Sequence, residues 1–341
     1  MKIAILTFSQ AFSTGALLQC YALATFLQKE GHTVKLLKSN LKVENSWIYY
    51  LNSITRCANF RHFRKQFLPP NANKDESFDL YIVGSDQVWN PDIPVKPLDY
   101  FFSFLPSTAK RISYAASFGM ENWDYNDEFT QQVKNCLQRF SYITVREDSA
   151  VNICNDVFGC HADLVVDPTL LLGDFENLYS CSLATNSTLF YYRVSHKDNW
   201  GNLVDEIAND LNLTVSQYLP KKRFSFLPIM CGLNTIYPSI QEWLNAVRSS
   251  SFILTDSFHT VVFAILNRKP FIVLPSVKSR MGRIVSLLSR LGIINRYFST
   301  IEEARQRRIW NEVIDYDSVF LLLTKLQENS NAMLKNICNK I

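Results

Sequence analysis

No CxxC pair occurs among the eight cysteines, which stand at 20, 57, 136, 154, 160, 181, 231 and 338. The closest spacing is Cys154 to Cys160, whereas zinc ribbons need tighter paired ligands. Scattered thiols without a secretory leader read as reduced and mostly structural, in a cytoplasmic protein. The opening MKIAILTFSQ carries one Lys and a short apolar run with no cleavage-type sequence after it. It reads as a first β-strand and not as a signal peptide. A bilayer-spanning run is also missing. The most apolar long stretch, Phe252 to Leu274, contains Asp256, His259, Arg268 and Lys269, charges a spanning helix would not carry. A membrane-linked substrate, if the chain acts on one, would be met from the surface, by peripheral contact at the inner face of the cytoplasmic membrane. Repeats and low-complexity tracts are absent. So is a marked charge of one sign: 35 basic residues against 31 acidic leave +4. That surplus is too small to argue for nucleic acid, yet it repels neither an anionic substrate nor an anionic membrane.

What is present is an ordinary globular mixture, 47% apolar and 19% charged over 341 residues. At about 100–200 residues per domain this length suggests about two domains. Such a chain buries roughly three quarters of its unfolded surface and needs no covalent staples. Aromatic residues make up 13%; they fill cores and also stack on sugars, and composition does not choose between these uses.

The N-terminal half reads as open α/β. Lys2 to Phe8 is an apolar strand, Gly15 to Glu30 a helix apolar on most sides, Gly31 its terminator and Thr33 to Leu37 a second strand, a pattern that implies a parallel sheet. Further strands are expected at Asp79 to Val83, Ile112 to Ser117, Tyr142 to Val145 and Leu164 to Val166. The polar stretch Asn177 to Ser187 is the linker candidate. A second α/β half follows, with strands at Thr188 to Val194, Thr214 to Tyr218, Phe252 to Leu254 and Pro270 to Leu274. Helices are expected at Leu203 to Leu211, Ser239 to Val247, Phe258 to Leu266 and Tyr316 to Gln327. The domains are thus expected at 1–180 and 181–341. Ligands of open α/β sheets sit at the carboxyl ends of the strands, so the residues just after strands are the informative ones.

After strand Phe252 to Leu254 comes Thr255-Asp256-Ser257-Phe258-His259-Thr260. Asp256 or Ser257 can cap the helix, whose start attracts anions. His259 in the first turn suits acid/base work near neutral pH; the plain alternative is a His satisfying a nearby carbonyl. Arg146, first after another strand, offers a two-pronged grip on carboxylate or phosphate; the plain alternative is an ion pair with Glu147 or another acid. The turn Gly84-Ser85-Asp86-Gln87-Val88-Trp89-Asn90-Pro91 groups polar side chains with an indole face, as a sugar site does; the plain alternative has Asp86 capping and Trp89 in the core. Arg280 and Arg283, near Lys278, are a phosphate clamp or solvated surface charge. Trp47 to Phe67, with Arg56, Arg61, Arg64 and Lys65, is a membrane or lipid-diphosphate contact or an ordinary helical excursion.

In order along the chain, ILTFSQAFSTGALLQCYALATFLQKEGHTV, VGSDQVWNP, RISYAASFG, TVREDSAV, VVDPTLLL, QEWLNAVRSSSFILTDSFHTVVFAILNRKPFIVL and RIVSLLSRLG resemble the polysaccharide pyruvyl transferase family. The combination of VGSDQVWNP with TDSFH is the specific part. The resemblance implies a GT-B-like fold: two Rossmann-like domains facing each other across a cleft, with the C-terminal helix returning to the N-terminal domain. It implies an acceptor side in 1–180 and a donor side in 181–341. The donor would be phosphoenolpyruvate and the acceptor a sugar of a surface polysaccharide (capsule or exopolysaccharide), galactose-like and carried on a lipid-linked oligosaccharide, with no other cofactor and no metal. Arg146, His259 and Asp256 would then be catalytic. Donor contacts would come from Arg146, Ser257, Phe258, His259, Thr260, Arg280 and Arg283. Acceptor contacts would come from Gly15, Ser85, Asp86, Gln87 and Trp89. Ser257 and Thr260 depart from the Arg and Gly of the family signature, and a β-carbon at 260 restricts how closely a phosphate approaches the helix. A nucleotide-sugar glycosyltransferase and a catalytically silent scaffold relative stay open as alternatives.

Overall fold

The computed structural model describes residues 1–38, 54–73, 75–179, 186–194, 200–219, 221–222, 235–274 and 278–341. Residues 47–53 of the aromatic-basic segment, 180–185 of the expected linker and Pro275-Ser276-Val277 lie outside the described residues. Chain contacts separate one unit made of Met1–Ser46, Arg64–Leu172 and Thr324–Ile341 from a second made of Trp47–Phe63 and Gly173–Leu323.

The first part of the chain runs β1 (Lys2–Leu6), α1 (Thr14–Lys29), β2 (Thr33–Leu36), α2 (Ala58–Phe67), β3 (Leu80–Val83), β4 (Arg111–Ser113), α3 (Asp127–Leu137), β5 (Thr144–Val145), α4 (Asp148–Asn152), β6 (Asp163–Leu164) and α5 (Pro168–Leu172). Strands β1 to β4 form a parallel sheet in the order β2-β1-β3-β4. Parallel bridges Ile112–Tyr142 and Ala116–Val145 carry the order on to β5, which pairs with β6. Ile3 to Leu6 are buried, as expected of a strand covered on both faces. Helix α1 is buried on nearly every side; Ser13 caps its start by accepting the Ala16 N–H, and Gly31, at φ +83°, follows its end. This left-handed conformation suits glycine.

The second part runs β7 (Thr188–Tyr192), α6 (Gly201–Asp210), β8 (Thr214–Gln217), β9 (Lys221–Lys222), β10 (Thr235–Ile236), α7 (Ile240–Ser249), β11 (Phe252–Thr255), α8 (Phe258–Leu266), β12 (Phe271–Val273), α9 (Lys278–Arg290), α10 (Ile301–Arg307) and α11 (Tyr316–Lys340). Its main sheet is also parallel, in the order β12-β11-β7-β8. Helix α7 begins with a reciprocal capping box between Ser239 and Glu242, which satisfies two otherwise orphaned N–H groups.

Helix α11 runs well past the expected end at Gln327, to Lys340, and its later half belongs to the first unit. There Gln327 donates to the Leu170 carbonyl at 2.6 Å and Ser330 Oγ accepts the Val166 N–H at 3.0 Å. Among the described residues no helix is long and apolar enough to cross a membrane.

Candidate active site

In each sheet the strand order reverses at one place, between β1 and β3 in the first unit and between β7 and β11 in the second. Such switch points open a crevice at the strand ends.

In the first unit the residues after β3 are clamped from several sides. Gly84 sits at φ +121°, and a β-carbon there would collide with the Tyr114 carbonyl. Only glycine fits. The Ser85 N–H donates to Gln19 Oε1 at 3.1 Å. Gln19 Nε2 donates to Thr7 Oγ1 and to the Ala16 carbonyl, both at 2.8 Å, and Thr7 Oγ1 donates to the Ser85 carbonyl at 3.0 Å. Ser85 Oγ donates to Asp167 Oδ2 at 3.0 Å. Asp86 follows at φ +75° and accepts the Gln87 N–H at 2.9 Å.

Arg146 ties this loop to β5 and β6. Its Nη1 donates to Asp167 Oδ2 at 2.6 Å and to Ser85 Oγ at 3.3 Å, and its Nη2 donates to Asp86 Oδ1 at 3.2 Å. Glu147 Oε2 lies 3.7 Å from its Nε. Burial opposes the charge on Arg146, but the carboxylates of Asp167, Asp86 and Glu147 outweigh it and push the guanidinium above its ordinary value. The Arg146 side chain is 0% exposed, whereas that of Asp86 is 17% exposed.

Several expectations for this unit need correction. Arg146 is not an open anion clamp: it is enclosed and both terminal nitrogens are engaged by carboxylates, so a donor anion would first have to displace Asp86. Ser85 is fully buried and holds the loop instead of meeting an acceptor. Trp89 is also fully buried. Its Nε1 donates to the Tyr100 carbonyl, Phe101 stacks on it at 5.4 Å, and Phe118 and Phe140 flank it at 5.2 and 6.0 Å. These neighbours occupy the indole, so Trp89 is core. Gln87 is half-buried, with its side chain packed against Gly119. Gly15 is half-buried at the second position of α1.

In the second unit β11 delivers Thr255-Asp256-Ser257 to the start of α8. Thr255 Oγ1 donates to the Tyr192 carbonyl at 2.8 Å and accepts the Ser257 N–H at 3.0 Å. Ser257 Oγ caps α8 by accepting the Thr260 N–H at 3.4 Å. Asp256 Oδ1 accepts the Val194 N–H at 2.6 Å, linking the ends of β7 and β11. Burial, then the Asp256 charge, pushes the nearby Tyr192 hydroxyl up to about 12. His259 is mostly buried in the first turn of α8, which carries no acid, and its ring meets Phe258 edge-on at 5.3 Å. The Arg283 guanidinium lies 5.7 Å from the centre of the same Phe258 ring. This cluster therefore gathers His259, Phe258, Arg283 and the helix start. Thr260 departs from expectation: it is fully buried, and among the described residues its Oγ1 has no hydrogen-bond partner. Arg280 lies in α9; its side chain is outside the described residues.

Sequence reasoning missed Gln19, Thr7 and Asp167 as holders of the first half-site. The signal available was a Gln inside an otherwise apolar helix, and an Asp directly after a strand. It also missed Arg193, the first residue after β7, because the strand was expected to continue to Val194.

A sequence model described as Polysaccharide pyruvyl transferase matches residues 14–276. No curated protein matches the chain. Among solved structures, S. aureus MnaA with UDP is similar at 12% identity, covering 100% of this chain and 97% of that one with a TM-score of 0.53. Phytolacca americana UGT2, complexed with UDP-2fluoro-glucose and pterostilbene, is similar at 12% identity over 99% of both chains, with a TM-score of 0.52. Arabidopsis thaliana UGT89C1 is similar at 10% identity over 99% of both chains, with a TM-score of 0.52. At these identities the likeness shows the fold alone, a GT-B fold built from two Rossmann-like domains. The family match covers most of the sequence: the chain belongs to the polysaccharide pyruvyl transferases, a family of transferase enzymes.

Proposed function

We propose that this enzyme moves the pyruvyl group of phosphoenolpyruvate onto two hydroxyls of one hexose, galactose-like, in a lipid-linked unit of a capsule or exopolysaccharide. The product is a cyclic ketal, and phosphate leaves. The observation that carries this reading is the start of α8 in the second unit, capped by Ser257, with His259 in its first turn and Arg283 against Phe258.

A donor with a phosphate and a carboxylate favours the α8 start, where the helix dipole is positive. His259 delivers a proton to the methylene carbon, and the cation that develops at C2 is captured by one sugar hydroxyl. That hydroxyl gives up its proton as the bond forms. The second hydroxyl then displaces phosphate. One hydroxyl proton ends on the new methyl group and the other on the phosphate, so the reaction balances. Arg146 acts through Asp86 as a positioning residue, and Ser85, Gln19 and Thr7 fix the loop. Contact of the enzyme with the membrane surface is part of this reading, because a lipid-linked acceptor is reached there.

The test is transfer of labelled pyruvate from phosphoenolpyruvate to a lipid-linked oligosaccharide, with parallel incubations in nucleotide sugars. Labelled ketal with released inorganic phosphate supports the reading. Released nucleoside diphosphate replaces it with a glycosyltransferase, and neither product points to a binding protein. His259→Ala is expected to cut turnover by about a hundredfold or more, the range for a removed acid/base group.

A further inference from the structure

In the first unit two thiols lie against each other in the segment between α4 and β6. After α4 the chain makes a wide turn over Ile153–Val157, closed by the Phe158 N–H on the Ile153 carbonyl at 3.3 Å. The Cys160 N–H then returns to the Cys154 carbonyl at 2.9 Å, and Cys160 Sγ lies 3.4 Å from the same oxygen. The two thiols also hydrogen-bond to each other. A disulfide requires Cα atoms about 4.4–6.8 Å apart, and a direct backbone hydrogen bond between two residues holds them within that reach. Both cysteines are free thiols in this structure.

Their surroundings differ. Cys154 is fully buried, whereas Cys160 is partly exposed and open to a small reagent. The Lys134 ammonium lies beside Gly159, the residue before Cys160. The hydrogen bond from the Cys154 thiol, helped by the Lys134 charge, outweighs burial and holds the Cys160 thiol below its ordinary value. The same hydrogen bond, together with burial, pushes Cys154 up. An accessible thiol with thiolate character, set beside a second thiol, is the arrangement in which oxidation is site-selective. The other described cysteines lack it. Cys20, Cys57, Cys136 and Cys338 are buried, and burial pushes Cys20 up to about 12 and Cys338 up to about 11.

We propose that Cys160 is a site of oxidation by hydrogen peroxide and that Cys154 resolves the product into an intramolecular disulfide. The Cys160 thiolate attacks one peroxide oxygen, the O–O bond breaks, and the other oxygen leaves as hydroxide, which takes up the thiol proton as water. Cys154 then attacks the sulfur of the sulfenic acid so formed. An S–S bond forms, the S–O bond breaks, and a second water leaves with the Cys154 proton. Two thiols are oxidised and one peroxide is reduced to two waters; an added dithiol reverses the bridge. The bridge closes the turn between α4 and β6, the elements that lie between Glu147 and Asp167. A reducing compartment accommodates it, because disulfides there are transient. Pyruvyl transfer plays no part in this chemistry.

The test treats the folded, fully reduced chain with a small excess of hydrogen peroxide, blocks the remaining thiols with iodoacetamide and maps the peptides by mass spectrometry. The expected product is a bridge between Cys154 and Cys160 that dithiothreitol removes. Without peroxide, Cys160 should alkylate at neutral pH about tenfold or more ahead of Cys20, Cys136 and Cys338, as an accessible thiolate does against buried thiols. In Cys154→Ala, dimedone is expected to trap a sulfenic acid on Cys160. In Cys160→Ser, Cys154 should stay a thiol under the same peroxide. Thermal melting checks that both variants are folded, and the alkylation order of the wild type needs neither of them. The proposal is overturned if the bridge is absent, forms only in urea, or joins either residue to a different cysteine. Alkylation of Cys160 no faster than that of the buried thiols, or a folded Cys154→Ala with no dimedone adduct, overturns it as well.

Discussion

Trp89 and Arg146 both turn inward. For Trp89 the expected consequence is a stability phenotype. Trp89→Ala removes an indole stacked among Phe101, Phe118 and Phe140 and leaves the Tyr100 carbonyl without its donor. Truncating a buried aromatic costs about 3–5 kcal/mol. Urea unfolding should show a loss in that range, while any protein that stays folded keeps its acceptor KM; a raised KM at unchanged stability contradicts a core role. Arg146→Met leaves the carboxylates of Asp167, Asp86 and Glu147 without their shared cation. Breaking a buried pair from one side costs about 3–5 kcal/mol, so the variant should unfold at lower urea and lose turnover together. The local sequence allows both orientations for each residue. Spacing places a residue after a strand, but the rings that enclose Trp89 come from Phe101, Phe118 and Phe140, and the acids around Arg146 come from turns at 86 and 167. Those neighbours meet only once the sheet has formed. His259 and Ser257 were legible because a cap and a first-turn residue are defined within one short segment.

At the scale of elements, the loop after β3 depends on the glycine at its head. Gly84→Ala introduces a β-carbon against the Tyr114 carbonyl at a positive φ. The backbone must shift, which moves Asp86 off Arg146. A strained position of this kind costs about 1–3 kcal/mol. Turnover should fall more than that loss of stability alone explains, which kcat and urea unfolding measured on the same sample will show. Equal, small effects on both would mean the loop position is unimportant for catalysis. Gln19→Leu probes the same loop from α1. It keeps the bulk and removes the acceptor of the Ser85 N–H together with the donor to Thr7. The parallel strands were readable because each is a short apolar run closed by Gly or polar residues, and helices α1, α7 and α8 were readable from caps and buried faces. Helix α3 escaped notice because it buries only Val133, Cys136 and Leu137, a narrow stripe in a polar sequence. The later part of α11 was missed for the same reason: a small polar residue, Ser330, holds a buried place among Leu334, Ile337 and Cys338, so the pattern fades where the helix continues.

At the scale of the whole molecule, the two-domain α/β class followed from the repeated strand–helix alternation, whereas the assignment of the last helix depends on contacts that no local pattern encodes. The last part of α11 lies in the first unit, where it completes hydrogen bonds left open by the end of β6 and by α5. Ser330 accepts the Val166 N–H and Gln327 reaches the Leu170 carbonyl, while Lys335 pairs with Glu30 at the end of α1. Between Val166 and Leu170 lies Asp167, whose Oδ2 holds Arg146 and Ser85. The helix is therefore connected to the first half-site through the segment it supports. Truncation after Leu323 removes these bonds and uncovers apolar surface, so the first unit should lose protection in hydrogen exchange at residues 163–172 and along α1. Peptides from β7 and β11 should change far less, because these strands pair with each other in the second unit's own sheet. A milder variant isolates the chemical link: Ser330→Ala leaves the helix apolar face intact and deprives the Val166 N–H of its acceptor, a cost of about 1–3 kcal/mol for a buried group. Its exchange should rise locally around Asp167 with a matching drop in turnover. Unaltered exchange in that segment after truncation would show that the helix only caps the unit and does not hold its site.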